Sequence, residues 1–144
     1  MSEYTEGDAL TPIPVNLGAA VIAATNDIWM LLTLPTQVKQ MEVVAATLAN
    51  GATVASNATD YSTFTVFKNG NVTIGSLNPA VTNLTADVGI AFTMTTTPAN
   101  RQLTAADTVS LSKVVGANNG TATTAQCILT LWVRKAASNL GAQT

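Results

Sequence analysis

The sequence predicts an all-β protein, and three features support this prediction. Thr, Val and Ile are abundant, and these β-branched residues fit a pleated strand better than a helix. No stretch carries the apolar stripe at i, i+3, i+4 and i+7 that predicts an amphipathic helix. Turn-forming pairs such as Asn50-Gly51 and Asn69-Gly70 recur roughly every 10–25 residues, a spacing typical of an antiparallel sandwich or barrel.

Alternation of apolar and polar residues between these turns predicts six strands. It is clearest in residues 88–96, where every second residue falls on one side: Val88, Ile90, Phe92 and Met94. In residues 125–134, Cys127 and the leucines fall on one face and Trp132 on the other. The remaining predicted strands are residues 28–34, 38–48, 61–68 and 108–115.

Two of these strands, residues 28–34 and 125–134, have large apolar side chains on both faces. Only one face of a strand meets the core of an antiparallel sandwich, so one face stays open in an isolated monomer. Because tryptophan is enriched in interfaces, we predict a subunit contact formed by Trp29, Leu31 and Trp132. The alternative is that the N-terminal segment or a loop of the same chain covers the second face.

One domain accounts for the 144 residues, of which 47% are hydrophobic and 10% charged. Residues 1–25 are predicted to form an extended N-terminal arm with an ordered second half, since Pro12 and Pro14 exclude a central strand. Residues 26–135 form the predicted sandwich, and residues 136–144 form a C-terminal tail.

The start of the chain does not predict a secretory signal or a membrane anchor. Glu3, Glu6 and Asp8 give it an acidic character, whereas a signal peptide begins with basic residues before an apolar stretch. The most apolar region, residues 17–34, is interrupted by Asn26 and Asp27, which argues against a membrane helix. We therefore predict no membrane partner.

The composition argues against an enzyme and against a metal or nucleic-acid protein. The sequence has no histidine, the commonest general base and zinc ligand, and its one cysteine, Cys127, forms no disulfide within the chain. The aspartates are isolated, which favours turn positions over a calcium site. The six basic residues are scattered and the net charge is -2, so no basic face for nucleic acid is predicted. No cofactor is expected.

Two segments have a distinctive order. In residues 40–70 an alternating strand is followed by a small-residue loop, an Ala-Thr-Asp-Tyr-Ser-Thr segment and a strand that ends in Lys-Asn-Gly. Residues 103–115 then precede a Gly/Asn-rich loop and a closing strand. This order resembles the small jelly-roll β-sandwich proteins of tailed bacteriophages, the capsid decoration (cement) and head-fibre proteins. Asp60 and Ala106 depart from the residues common there, Asn and Gly respectively.

The resemblance implies an antiparallel jelly-roll-like β-sandwich that forms a homotrimer on the outer capsid surface. There it would fasten neighbouring copies of the major capsid protein. It also implies that the N-terminal arm contacts the capsid, and the acidic start suits a basic groove. The residues assigned to this contact are Glu3, Glu6, Asp8, Pro12 and Pro14. The alternatives are a head-fibre or adhesin module that binds host-surface carbohydrate, and a subunit of the shell itself.

Overall fold

The computed structural model describes residues 10–18, 26–36, 40–56, 61–115 and 126–135. Within them the chain forms ten strands and one short helix. The strands are β1 (Thr11–Gly18), β2 (Asp27–Thr33), β3 (Gln40–Asn50), β4 (Ser62–Lys68), β5 (Val72–Leu77), β6 (Ile90–Ala91), β7 (Thr93–Met94), β8 (Gln102–Thr104), β9 (Thr108–Val115) and β10 (Cys127–Lys135). The helix α1 spans Pro98–Arg101. No helix of the described residues is both long and apolar enough to cross a membrane.

The strands form two antiparallel sheets in jelly-roll order. Sheet 1 has the order β1-β10-β3-β6, with β8 also paired to β3, and sheet 2 has the order β2-β9-β4-β5-β7. The first strand pairs with the last, β2 pairs with β9, and the β4–β5 hairpin lies innermost in this nested arrangement. Folding such nested pairs over into two sheets produces a jelly roll. The predicted jelly-roll-like β-sandwich is confirmed.

The core lies between the sheets and follows the period of two. In β10, Cys127, Leu129 and Leu131 are buried while Ile128 is exposed, as the alternation predicted. In β9, Val109 and Leu111 are fully buried. Both sheets therefore contribute one apolar face to a single cluster of side chains.

Five of the six predicted strands agree with the structure to within two residues at each end, and the sixth is divided. Within residues 88–96, β6 pairs with β3 of sheet 1 and β7 pairs with β5 of sheet 2. Phe92 lies between them, buried, with its N–H donating to the Ala46 carbonyl over 2.9 Å. The chain therefore passes from one sheet to the other at Phe92. The sequence did not predict β5 or β8.

Within the predicted N-terminal arm, residues Thr11–Gly18 form β1, an edge strand of the sandwich. β1 pairs with β10, and Pro12 and Pro14 are exposed within it. Proline has no N–H to donate and is accepted at the edge of a sheet, where one side of the strand needs no partner. Residues 1–9, 19–25 and 136–144 lie outside the described residues, and the division into arm, sandwich and tail stays a prediction.

Candidate interaction surfaces

Among the described residues, the outer face of sheet 2 carries apolar and hydroxyl side chains and no charged one. Ile28 and Met30 of β2 are 73% and 63% exposed, although both are large hydrophobic side chains. Their register partners in β9 are Ser112 and Ser110. Phe67 of β4 lies opposite Ser110 on the other side of β9. These side chains form an apolar and hydroxyl surface, which we call the β2 face.

The β2 face contains a shallow groove of about 290 Å³. Ile28, Met30 and Phe67 supply its apolar lining, and Ser110 and Ser112 are among the hydroxyl side chains that line it. Ser110 is 6% exposed although it belongs to the outer side of the sheet, because the larger side chains flank it. Large exposed apolar side chains that lie together mark interaction sites in soluble proteins.

The outer face of sheet 1 is organised around a buried carboxylate. Glu42 of β3 is 6% exposed and lies opposite Arg134 of β10 in the strand register. The Arg134 Nε and Nη2 atoms are each 3.2 Å from Glu42 Oε2. Arg101 approaches from α1, with Nη2 3.5 Å from Glu42 Oε1. The hydrogen bond from Arg134 and the ion pairs with both guanidinium groups compensate the carboxylate for its lost hydration.

The structure does not bring the three predicted interface residues onto one face. Trp29 and Leu31 are half-buried and pack against the core, so it is Ile28 and Met30 that point outward from β2. Trp132 lies on the outer side of sheet 1, half-buried between its register partners Pro12 and Ala45. The alternation in β2 was visible in the sequence, but both of its faces are apolar, so the pattern did not say which face is buried.

The predicted capsid-contacting residues are described only in part. Glu3, Glu6 and Asp8 lie outside the described residues. Pro12 and Pro14 lie in β1 opposite Trp132 and Thr130. Both prolines are exposed on the outer side of sheet 1.

A corner at one end of the sandwich joins the two sheets through Asp107. The Thr104 N–H donates to Asp107 Oδ2 over 2.8 Å, and the Asn69 side-chain amide donates to Oδ1 over 2.7 Å. Partial burial raises the pKa of Asp107, but these hydrogen bonds, the Thr104 hydroxyl and the Lys68 charge lower it, and the net pKa is lowered. Lys68 also donates to the carbonyls of Ala99 and Gln102.

Two turns at this corner need left-handed backbone. Asn69 and Gly70 have φ of 53° and 78° and connect β4 to β5, which confirms the predicted tight turn. Ala106, for which the sequence resemblance led us to expect glycine, has a φ of 69°. An alanine in this region is strained because its Cβ approaches the backbone.

A lysine that the sequence did not single out is fully buried. Lys113 of β9 points to the same side as Leu111, and its Nζ is 2.8 Å from Asp27 Oδ2. Asp27 and Lys113 are register partners across β2 and β9, which explains their meeting. Asp27 therefore has a structural role, as the ion-pair partner of the buried Lys113.

Within the part of the chain that the structure describes, no cluster of metal-ligating side chains is found, and the aromatic residues Phe64, Phe67 and Trp132 lie apart from one another. Among the described residues no three His, Cys, Asp or Glu side chains lie close enough together to hold a metal ion. Phe64 is 1% exposed in the core, Phe67 is on the outer side of sheet 2, and Trp132 is on that of sheet 1. These aromatic side chains therefore form no shared platform. Cys127 is buried on the face that it was predicted to share with the leucines of β10, with its Sγ 3.6 Å from Asn50 Oδ1.

Comparison with solved structures finds a similar fold in a phage capsid. A chain of the cyanophage Pam1 capsid asymmetric unit aligns with a TM-score of 0.51 and 17% identity, over 94% of this chain and 91% of that chain. The two chains are therefore of similar length, and at this identity the likeness shows the fold alone. No protein-family model matches the chain, and no curated protein matches it in sequence.

Proposed function

We propose that this protein is a non-enzymatic structural component of a bacteriophage virion, namely a decoration protein on the outer surface of the head. The observation that carries this proposal is the shared jelly-roll fold, which extends over nearly the whole of this chain and of a chain from a phage capsid. The order of segments within residues 40–70 and 103–115 supports it independently. The coarser proposal, a virion component, does not depend on the site at which the protein binds.

On this proposal the protein binds as a homotrimer across neighbouring capsid subunits and stabilises the contacts between them. The β2 face supplies the contact between copies, because Ile28 and Met30 are the most exposed large apolar side chains of β2. They replace Trp29 and Leu31, which face the core. Obligate interfaces commonly bury about 2,000–5,000 Å² and are more apolar than the remaining surface.

The outer side of sheet 1 and the N-terminal segment supply the contact with the major capsid protein. Pro12, Pro14 and Trp132 are neighbours there, and the acidic residues Glu3, Glu6 and Asp8 precede them in the chain. A trimer presents three such surfaces, so modest contacts combine by avidity. A basic groove on the capsid fits the acidic segment by charge.

Co-sedimentation with assembled phage heads that lack the protein tests this proposal. The wild-type chain should bind saturably, in multiples of three copies per symmetry position. Deletion of residues 2–9 leaves β1 intact, and we expect it to weaken binding at least about tenfold, or about 1.4 kcal/mol. A chain without β1 is not a suitable variant, because that strand belongs to sheet 1. Absence of saturable binding by the wild type contradicts the decoration function.

A head-fibre or adhesin module that binds host carbohydrate is the second candidate. The groove on the β2 face favours it, because Phe67 lies there beside hydroxyl groups that suit a sugar. A glycan array distinguishes the two functions. Specific sugar binding that is lost on Phe67→Ala supports the adhesin, whereas a decoration protein shows none.

A further inference from the structure

A β-bulge turns Glu42 toward the outer side of sheet 1. The register of β3 against β10 shifts between Trp132 and Val133, because β3 has one extra residue there, Val44. With an unbroken period of two, Val43 would face outward and Glu42 inward. The bulge instead places Val43 in the core and Glu42 on the outer side, and bulges re-aim side chains in this way next to functional sites.

The outward carboxylate belongs to a group of three charged side chains that keeps one positive charge. We call Glu42, Arg101 and Arg134 the Glu42 cluster. One carboxylate neutralises only one of the two guanidinium charges. On the other side of β3 the register partner of Glu42 is Gln102, which is neutral. One further carboxylate would therefore balance the cluster.

The acidic residues elsewhere in the described ranges do not supply this carboxylate. Asp27 forms an ion pair with Lys113. Asp107 accepts its hydrogen bonds at the corner that joins the sheets and has the Lys68 charge beside it. Asp87 lies at the opposite end of β10. The surplus charge of the Glu42 cluster is therefore not compensated within the described part of the monomer.

Arg134 has an open edge that suits a second carboxylate. Its side chain is 39% exposed, against 20% for that of Arg101. Its Nε donates to Glu42 Oε2, and its Nη2 is 3.2 Å from the same oxygen. Both contacts use one edge of the planar guanidinium, whereas the Nη1 group makes no hydrogen bond to the described residues. The edge formed by Nη1 and Nη2 therefore has the geometry for a bidentate carboxylate.

Apolar side chains lie next to this open edge. Trp132 precedes Arg134 by two residues on the same side of β10, at a distance along the strand of about 7 Å. It is half-buried, and the exposed Pro12 lies opposite it in β1. Tryptophan and arginine are enriched among the residues that dominate binding energies, where neighbouring contacts exclude water. This surface therefore suits an acidic side chain presented by a protein.

We propose that the Glu42 cluster and Trp132 bind an acidic side chain of the major capsid protein, whose carboxylate pairs with the open edge of Arg134. This inference rests on the proposed decoration function, because it names the chemistry of the partner at the outer side of sheet 1. A protein carboxylate is favoured over nucleic-acid phosphates. The cluster has one surplus charge and the chain a net charge of -2, whereas nucleic acid is bound by many cations together.

Co-sedimentation of the complete protein with phage heads that lack it tests the role of Arg134. Arg134→Gln should weaken binding at least about tenfold. Arg134→Lys, which keeps the charge beside Glu42, should still weaken it several-fold, because an ammonium group lacks the planar fork. Lys135→Gln is the matched control, since Lys135 is exposed on the other side of β10 and its loss changes the net charge equally. Equal losses for the two glutamine variants, or full binding by Arg134→Lys, overturn the proposal.

Neutralisation of the partner's carboxylates provides a second measurement. Heads treated with carbodiimide and excess methylamine have their exposed carboxylates converted into neutral amides. Wild-type binding should then fall to about the level of Arg134→Gln, whereas the binding of Arg134→Gln should change less than about twofold. Losses that multiply when the two changes are combined show that Arg134 does not meet a capsid carboxylate, and they overturn the proposal.

Two further results would assign Arg134 to another partner. If Arg134→Gln lowers the mass of the free protein in light scattering, the arginine contacts a second copy. If Arg134→Gln has no effect on binding in the chain that lacks residues 2–9, the arginine acts through the start of its own chain. Either result overturns the proposal. Absence of saturable binding by the wild type contradicts the decoration function and this contact together, whereas binding that survives Arg134→Gln and Arg134→Lys contradicts the contact alone.

Discussion

The outer faces of the two sheets differ in how many of their charged, apolar and edge groups are paired or covered within the monomer. On sheet 1, Glu42 is covered by two arginines, and Pro12 and Pro14 protect the edge strand β1 from pairing with another chain. On sheet 2, Ile28 and Met30 stand exposed on β2, which ends the strand order of that sheet and contains neither proline nor lysine. The charged cluster of sheet 1 is therefore paired within the monomer, whereas the described residues leave the apolar side chains of the β2 face exposed.

The largest expected effect comes from making the β2 face polar. The variant Ile28→Ser with Met30→Ser should fall from three chain masses to one in light scattering, with its β-sheet circular dichroism unchanged. An oligomer that survives micromolar dilution is held by about 8 kcal/mol, and removal of its apolar contacts releases it. Ile128→Ser is the matched control, since Ile128 is 43% exposed on the outer side of sheet 1. If the wild type is a monomer, or if Ile128→Ser also dissociates the oligomer, the β2 face does not differ from the outer face of sheet 1 as a contact between copies.

The next largest effect is a loss of folding stability when the buried carboxylate of Glu42 on sheet 1 is removed. Glu42→Gln should lower the free energy of unfolding by about 2–3 kcal/mol, because two arginines lose a buried partner. Chemical denaturation of a double-mutant cycle with Arg134→Gln measures the coupling, and the double variant should lose less than the sum of the single losses. Additive losses would falsify the view that the Glu42 cluster acts as a unit.

A smaller effect, a gain in folding stability, is expected from a substitution at Ala106, in the corner where the two sheets meet. Ala106→Gly should raise the free energy of unfolding by about 0.5–1 kcal/mol, because glycine adopts a positive φ without strain. Ala105→Gly is the matched control. Ala105 lies in the same turn without a positive φ, so there glycine should be neutral or destabilising. Equal changes in the two denaturation midpoints count against strain at Ala106.

The smallest effect is a change in acid sensitivity at the same corner. In the folded chain the pKa of Asp107 is below its ordinary value of 3.8. The stabilisation that ionised Asp107 contributes to the free energy of unfolding is therefore complete above that value. This stabilisation is lost as the pH falls below 3.8 and passes through the pKa of Asp107 in the folded chain. Asp107→Asn should therefore flatten the dependence of stability on pH below about pH 4. Thermal melts from pH 6 to pH 2.5 measure the slope, and parallel curves for the two proteins contradict this assignment.

Much of the fold could be predicted because its signals are local. The alternation in β9 and β10 identified their buried faces, and Asn69-Gly70 identified a turn that requires positive φ. β5 was missed because its sequence, VTIGSL, is short and contains a glycine, and its burial depends on the neighbouring β4. The division at Phe92 was missed because alternation continues unbroken while the hydrogen-bond partners change from one sheet to the other.

The candidate site was less predictable, since it depends on which of two apolar faces is buried. The sequence identified β2 and β10 as strands with two apolar faces, but it suggested Trp29 as an outward residue. The structure turns Trp29 inward and leaves Ile28 and Met30 outside. The Glu42 cluster escaped prediction for a related reason. Its partners, Arg101 and Arg134, lie far along the chain and meet Glu42 only through the packing of α1 and β10 on β3.

The sequence by itself determined the β class, most strand positions, the tight turn at Asn69 and the burial of Cys127. Side-chain period and turn geometry are properties of neighbouring residues, so a linear pattern contains them. The tertiary structure alone decided the strand order, the outward side of β2, and the meetings of Glu42 with its arginines and of Lys113 with Asp27. These depend on contacts between distant segments, whose energies are set only once both sheets have closed over a common core.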